Sequence, residues 1–240
     1  MWSGPRNIST AMLRSWGNRL DCHVVDEPFY AFYLDRTGLD HPGRTDILRS
    51  QPTDWRVVAA EITAGRLPPG KSVSYQKHMT HHLLDEVDRS ALAGLRHAFL
   101  IRDPAEVLVS YAKVRGEPTL EDLGVVRQVK LFERFGGPVV DARDVLERPE
   151  PMLRALCSAL AVDFDPAMLA WPAGPRDTDG VWADHWYDGV RRSTGFAAYR
   201  PPAEDVPPGL QPLLEQCRPY YETMTAYRMT PPPTLPPPRS

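Results

Sequence analysis

Apolar and polar positions along this chain follow two periods, and the points where one gives way to the other outline strands alternating with helices. Met12, Leu13, Trp16 and Leu20 have helical spacing, which predicts a helix starting near Ile8 to Thr10. Only Met1 and Trp2 precede the turn Ser3-Gly4-Pro5, where a strand of about five residues is expected to end. The first strand is therefore a stub or begins upstream. Residues 22–26 form an apolar run ending in Asp26 and predict a central strand. Residues 30–51 lack a period and read as a loop-rich excursion, a lid or part of an acceptor pocket. A helix over 53–64 carries Trp55, Val58, Ala59 and Ile62 on one face and is closed by Gly65. Residues 71–76 predict a second strand, with Lys77 to His82 as a polar loop behind it.

In the second half, residues 97–101 predict a strand. Asp103 as N-cap, Pro104 at the first helical position and Glu106 two residues on start a helix continued by Val107, Leu108, Tyr111 and Val114. Residues 119–135 read as one amphipathic helix, capped by Thr119-x-x-Asp122 and ended by Gly136-Gly137. A last short strand over 138–141, a helix over 149–162, a turn from Pro166 and a final helix over 208–227 complete the pattern. Strands alternating with helices predict an α/β chain around a parallel sheet. One domain is expected over 1–228, followed by an extended proline-rich tail over 229–240.

Composition changes the picture mainly by exclusion. The net charge of −3 over 240 residues gives no polybasic signature for nucleic acid or an anionic membrane. No run approaches the roughly 20 apolar residues of a membrane span. Cys22, Cys157 and Cys217 are odd in number and lack metal-type spacing, so they are expected as free thiols in a cytoplasmic protein. His78 and His82 stand four apart, but no acidic residue lies between them, and no metal is expected.

The candidate chemistry begins at Ser3-Gly4-Pro5-Arg6-Asn7-Ile8-Ser9-Thr10. A helix opening there presents unpartnered N–H groups and the positive end of its dipole, which suits a phosphate or sulfate, and Arg6 adds a charged planar fork. The nucleotide-kinase loop G-x-x-x-x-G-K-[ST] is not written here. Asp26 and Glu27 fall where a parallel sheet gathers ligands, so Glu27 is a candidate base. Lys77 and His78, read as following a strand, are a second candidate: histidine taking an acceptor proton while lysine offsets charge on a leaving phosphate. Arg102 at a strand end and Ser110 on the next helix could reach one anion together.

Pro5-Arg6-x-x-Ser9-Thr10 resembles the 5′-phosphosulfate loop of the sulfotransferase family, and residues 99–111 resemble its 3′-phosphate segment, R-[DN]-P-x-[DE]-x-x-x-S. The resemblance implies a P-loop-like three-layer α/β/α sandwich. It also implies transfer of a sulfuryl group from 3′-phosphoadenosine 5′-phosphosulfate to an acceptor hydroxyl or amine. By the same resemblance Arg6, Asn7, Ser9 and Thr10 hold the 5′-phosphosulfate, and Arg102 and Ser110 hold the 3′-phosphate. The family carries a late basic-glycine loop over its nucleotide. Here that place falls to Arg191, Arg192, Ser193, Thr194 and Gly195, which depart from the usual Arg-Lys-Gly form. Bacterial carbohydrate sulfotransferases favour Glu27 as base, and cytosolic ones favour His78. A P-loop-type kinase and a non-catalytic anion- or partner-binding protein are the alternatives; the acceptor and the oligomeric state are not encoded in any readable motif.

Overall fold

The structure, a computed structural model, describes residues 1–113 and 118–230. Its elements are β1 (Trp2–Ser3), α1 (Ser9–Gly17), β2 (Cys22–Asp26), α2 (Tyr30–Thr37), α3 (Arg44–Ser50), α4 (Trp55–Thr63) and β3 (Val73–Met79). These are followed by β4 (Phe99–Ile101), α5 (Pro104–Ala112), α6 (Leu120–Leu123), α7 (Val125–Phe135), β5 (Val139–Asp141), α8 (Ala142–Glu147) and α9 (Pro149–Ala159). Two one-turn helices, α10 (Ala183–Trp186) and α11 (Asp188–Arg191), precede α12 (Gln211–Thr225). Val114 and residues 231–240 of the expected tail lie outside the described residues. Met229, assigned to that tail, still donates its N–H to the Val139 carbonyl at 2.8 Å.

All strand pairs are parallel and the order is β2-β3-β1-β4-β5. Side chains alternate across the sheet as a period of two requires. Leu100 and Val140 enter a core with Met12, Leu13 and Trp16 of α1 and Leu153 and Leu156 of α9. Phe99, Ile101 and Val139 enter the opposite core with Phe32 of α2 and Leu131 of α7. Helices thus cover both faces, the α/β architecture the sequence predicts. The sheet's order puts β1 between strands that the chain reaches in opposite directions, a switch point where ligands collect beyond the carboxyl ends.

Several boundaries depart from the sequence reading. The first strand holds Trp2 and Ser3 of this sequence. Helix α1 stops at Gly17, and Leu20 is 90% exposed rather than on its buried face. Residues 30–51 are not loop-rich but hold α2 and α3; Tyr30, Ala31, Phe32, Tyr33 and Leu34 are all buried, which erases any amphipathic period. The stretch 119–135 is two helices, because Gly124 at φ 68° breaks it. Strand β3 runs on to Met79, so Lys77 and His78 are strand residues rather than loop.

Candidate active site

The site gathers at the carboxyl ends of β1, β2, β3 and β4, with α1, α5 and the late segment closing around them. After β1 the chain turns at Gly4, where a Cβ would stand 2.8 Å from the Leu123 carbonyl oxygen, so the close approach requires glycine. Arg6 then takes φ 54° and Glu27, directly after β2, takes φ 41°. Of the three non-glycine residues with positive φ among those described, these two line the same cavity, of about 480 Å³. Each such conformation costs of order 1–3 kcal/mol and persists where the surroundings impose it.

One half of the cavity is built on α1 and α5. No side chain caps α1, so the N–H groups of its first turn face the cavity floor beside Ser9 and Thr10. Asn7 is committed to the loop itself: its Nδ2 donates to the Leu100 carbonyl at 3.1 Å and its Oδ1 accepts the Ile8 N–H at 2.8 Å. Arg6 Nε donates to Ser110 Oγ at 3.0 Å, and Arg102 Nη1 donates to the Arg6 carbonyl at 2.9 Å. The two expected cradles therefore adjoin in one cavity. Glu106 does not close a capping box; it accepts Arg102 Nε at 2.9 Å and the Tyr199 hydroxyl at 2.7 Å, fixing the guanidinium from behind. Arg6 has no carboxylate partner among the described residues, and burial, then the neighbouring Arg102, lower its pKa. A half-buried guanidinium beside a second one is stabilised by an anion.

The other half centres on Lys77, 1% exposed. Its Nζ lies 2.9 Å from Asp26 Oδ1, 2.6 Å from Glu27 Oε1 and 2.6 Å from the Tyr187 hydroxyl. An ammonium has three donors, and all three are used. Burial works against the Lys77 charge, but Asp26, Glu27 and Tyr187 outweigh it and hold its pKa well above the usual lysine value. Glu27 is pushed up, by burial first and by Asp26, against the pull of Lys77. Its Oε2 accepts no hydrogen bond from the described residues and lies 3.7 Å from His82 Nδ1. His82 is clamped between the rings of Tyr30 and Tyr33, with centroids at 4.4 and 4.7 Å, and burial holds it well below the usual histidine pKa. It is a neutral neighbour.

The sequence-predicted residues divide clearly. Arg6, Asn7, Ser9, Thr10, Glu27, Lys77, Arg102, Ser110, Ser193 and Gly195 all line the cavity. His78 does not, because alternation along β3 sends it to the opposite face from Lys77. There it stacks on Trp2 at 4.4 Å and bonds Gln76, a core histidine. Arg191, Arg192 and Thr194 are not in the cavity wall; Arg191 pairs with Asp184 at 2.7 Å, and Ser193 accepts from Trp171 Nε1 while donating to the Val190 carbonyl. Asp26 was legible as a charge at a strand end, but Tyr187 and His82 had no sequence signal tying them to Glu27. Among the described residues no group of three His, Cys, Asp or Glu is placed to hold a metal, and no helix is long and apolar enough to cross a membrane.

A family profile described as a sulfotransferase domain matches residues 1–228. The chain belongs to the sulfotransferase domain family. Membership supports sulfuryl transfer as its chemistry in general. The fold of this sulfotransferase domain is similar to that of a sulfotransferase domain from the Synechococcus PCC 7002 olefin synthase, with a TM-score of 0.55, 19% identity and coverage of 95% of this chain and 94% of the other. It is also similar to a sulfotransferase domain from the curacin biosynthetic pathway, with a TM-score of 0.51, 14% identity and coverage of 90% and 95%. Among curated proteins, branched-chain-amino-acid aminotransferase-like proteins 1 and 2 of Arabidopsis thaliana are 34% and 33% identical over 253 residues. The match takes in 100% of this sulfotransferase domain but only 45% of each relative, so the chain spans less than half the length of those proteins.

Proposed function

We propose that this chain is a sulfotransferase that moves a sulfuryl group from 3′-phosphoadenosine 5′-phosphosulfate to an acceptor hydroxyl or amine of a small molecule or carbohydrate. The observation that carries the reading is Arg6: a guanidinium without a carboxylate, beside Arg102, above an uncapped helix start, in one cavity with a buried carboxylate. The residues fit a nucleotide with two separate anionic groups. Arg6 with Ser9, Thr10 and the first N–H groups of α1 would hold the 5′-phosphosulfate, and Arg102 with Ser110 the 3′-phosphate. When bound, the donor supplies the sulfuryl group and a nucleotide phosphate as leaving group. Glu27 takes the acceptor's proton at Oε2, the oxygen left open by Lys77. Its raised pKa brings it towards working pH, where a general base is most effective. Lys77, with its donors taken up by Asp26, Glu27 and Tyr187, orients Glu27 rather than meeting the leaving group.

Calorimetric titration with 3′-phosphoadenosine 5′-phosphate tests this. Micromolar binding is expected, weakened about tenfold to a hundredfold by Arg102→Ala through loss of a charged contact of roughly 1.5–3 kcal/mol. Tighter binding of magnesium ATP, or equal binding by the Arg102→Ala protein, would refute it in favour of a kinase-type or non-catalytic anion site.

A further inference from the structure

Buried polar contacts tie the late segment between α9 and α12 to α1 and to the sheet. Arg14 of α1 meets Asp179 at 2.7 Å, both side chains nearly inaccessible, and Ser15 Oγ of α1 donates to the Met168 carbonyl at 2.7 Å. The third tie is Tyr187, between α10 and α11. Its hydroxyl donates to Asp26 Oδ2 at 2.5 Å and accepts from Lys77 Nζ at 2.6 Å and Trp182 Nε1 at 3.2 Å. A phenol has one proton and two lone pairs, so this hydroxyl is filled. The same accounting fills Lys77, and it leaves Asp26 with one donor on each oxygen. Of the two carboxylates in the cluster, Glu27 alone keeps an oxygen without a donor among the described residues.

Resting on the sulfotransferase reading above, we infer that Tyr187 is a positioning residue for Glu27: by completing the shells of Lys77 and Asp26 it aims the ammonium at Glu27 Oε1 and leaves Oε2 as the proton acceptor. The physical reason is competition for one cation. Asp26 and Glu27 share Lys77, and whichever carboxylate lacks another donor draws the ammonium towards itself. The Tyr187 O–H satisfies Asp26, so Lys77 remains close to Glu27. Without that hydroxyl Asp26 draws Lys77 away, and Glu27, facing Asp26, Lys77, His82 and Tyr187, holds its proton more tightly. Docking of the late segment over the cavity and the setting of the base are then one event.

The test is a carboxyl titration of Glu27 followed by 13C NMR on glutamate-labelled protein, with the signal assigned by its loss in Glu27→Gln. Tyr187→Phe is expected to raise the midpoint by about one unit, a roughly tenfold tighter hold on the proton. Calorimetric binding of 3′-phosphoadenosine 5′-phosphate is expected to stay within about threefold of wild type. An unchanged Glu27 midpoint in folded Tyr187→Phe protein overturns the inference, whereas loss of nucleotide binding by wild type itself overturns the sulfotransferase reading instead. Should Tyr187→Phe fail to fold, Trp182→Phe carries the test. It withdraws only the indole N–H, which lets the hydroxyl attract Lys77 more strongly, so a smaller upward shift is expected and none would overturn the proposal.

Discussion

Lys77→Met is the perturbation that bears most directly on the buried cluster. Methionine fills the volume of the lysine stem, so the change removes a charge and three donors with little cavity. Asp26 and Glu27 are then left buried side by side, and of the cluster's donors only the Tyr187 hydroxyl remains, on Asp26. Removing one partner of a buried ion pair costs about 3–5 kcal/mol, because the remaining charge is uncompensated. For a chain of this size each kcal/mol moves the melting temperature by about 2–4 °C, so a loss of about 6–20 °C is expected at pH 8. The pH dependence separates charge from packing. Without Lys77 the pull that lowers Glu27 is gone, so Glu27 titrates further above its unfolded value, and its contribution is intact below about pH 4 and is lost as pH rises through the folded value. The deficit relative to wild type should therefore be largest at pH 8 and shrink towards pH 4, leaving only the lost hydrogen bonds. Urea unfolding at a series of pH values measures it. A deficit under about 1 kcal/mol, or one that does not vary with pH, would show that Lys77 is not the counter-ion of this pair.

Glu27→Gln tests the raised carboxyl itself. Because the folded pKa lies above the unfolded one, wild-type stability falls as pH rises through the folded value, so the variant should gain on wild type between about pH 4 and pH 8 in thermal melts. Arg6→Gly relieves a left-handed conformation worth about 1–2 kcal/mol in a non-glycine residue and the approach of two guanidiniums. It should leave the unliganded melting temperature undiminished while weakening binding of 3′-phosphoadenosine 5′-phosphate at least about tenfold by calorimetry. His78→Gln removes a ring stacked on Trp2 and should lower stability by about 1–3 kcal/mol in urea while nucleotide binding is unchanged; a specific binding loss would return His78 to the site.

That Arg6, Ser9, Thr10, Arg102 and Ser110 would share one cavity was legible because they are consecutive or sit at fixed offsets in strand–turn–helix units. Arg6, Ser9 and Thr10 follow one strand, Arg102 and Ser110 another, and local sequence sets their separation from the sheet. The half around Lys77 was only partly legible. Ending the strand at Gln76 turned Lys77 and His78 into neighbours in a loop, where both could face one ligand. Extending it to Met79 makes them opposites, and one follows from the other by the period of two. The hydropathy of that stretch conceals the strand, since Lys77, His78, His81 and His82 are all buried at its carboxyl end. Tyr30 to Leu34 fails in the other direction, being buried on every side, so no face remains to reveal the helix. The pairing of Tyr187 with Asp26 spans 161 residues and depends on tertiary docking alone.

These misreadings and the strained residues have a common cause. A chain selected only for stability would put glycine at φ 54° and φ 41°, pair each buried carboxylate with its own cation, and avoid bringing two guanidiniums together. This chain does none of these at the carboxyl ends of β1, β2 and β3, while the cores on both faces of the sheet follow the ordinary rules. Local rules fail where charge is concentrated at the strand ends, which is what the proposed nucleotide site requires. Binding the nucleotide should therefore stabilise the fold by more than its contacts with Arg102 alone contribute, since it also neutralises the Arg6–Arg102 approach. In a double-mutant cycle by calorimetry, Arg6→Gly and Arg102→Ala should be non-additive by at least about 0.5 kcal/mol, and strict additivity would show that the two arginines do not share an anion.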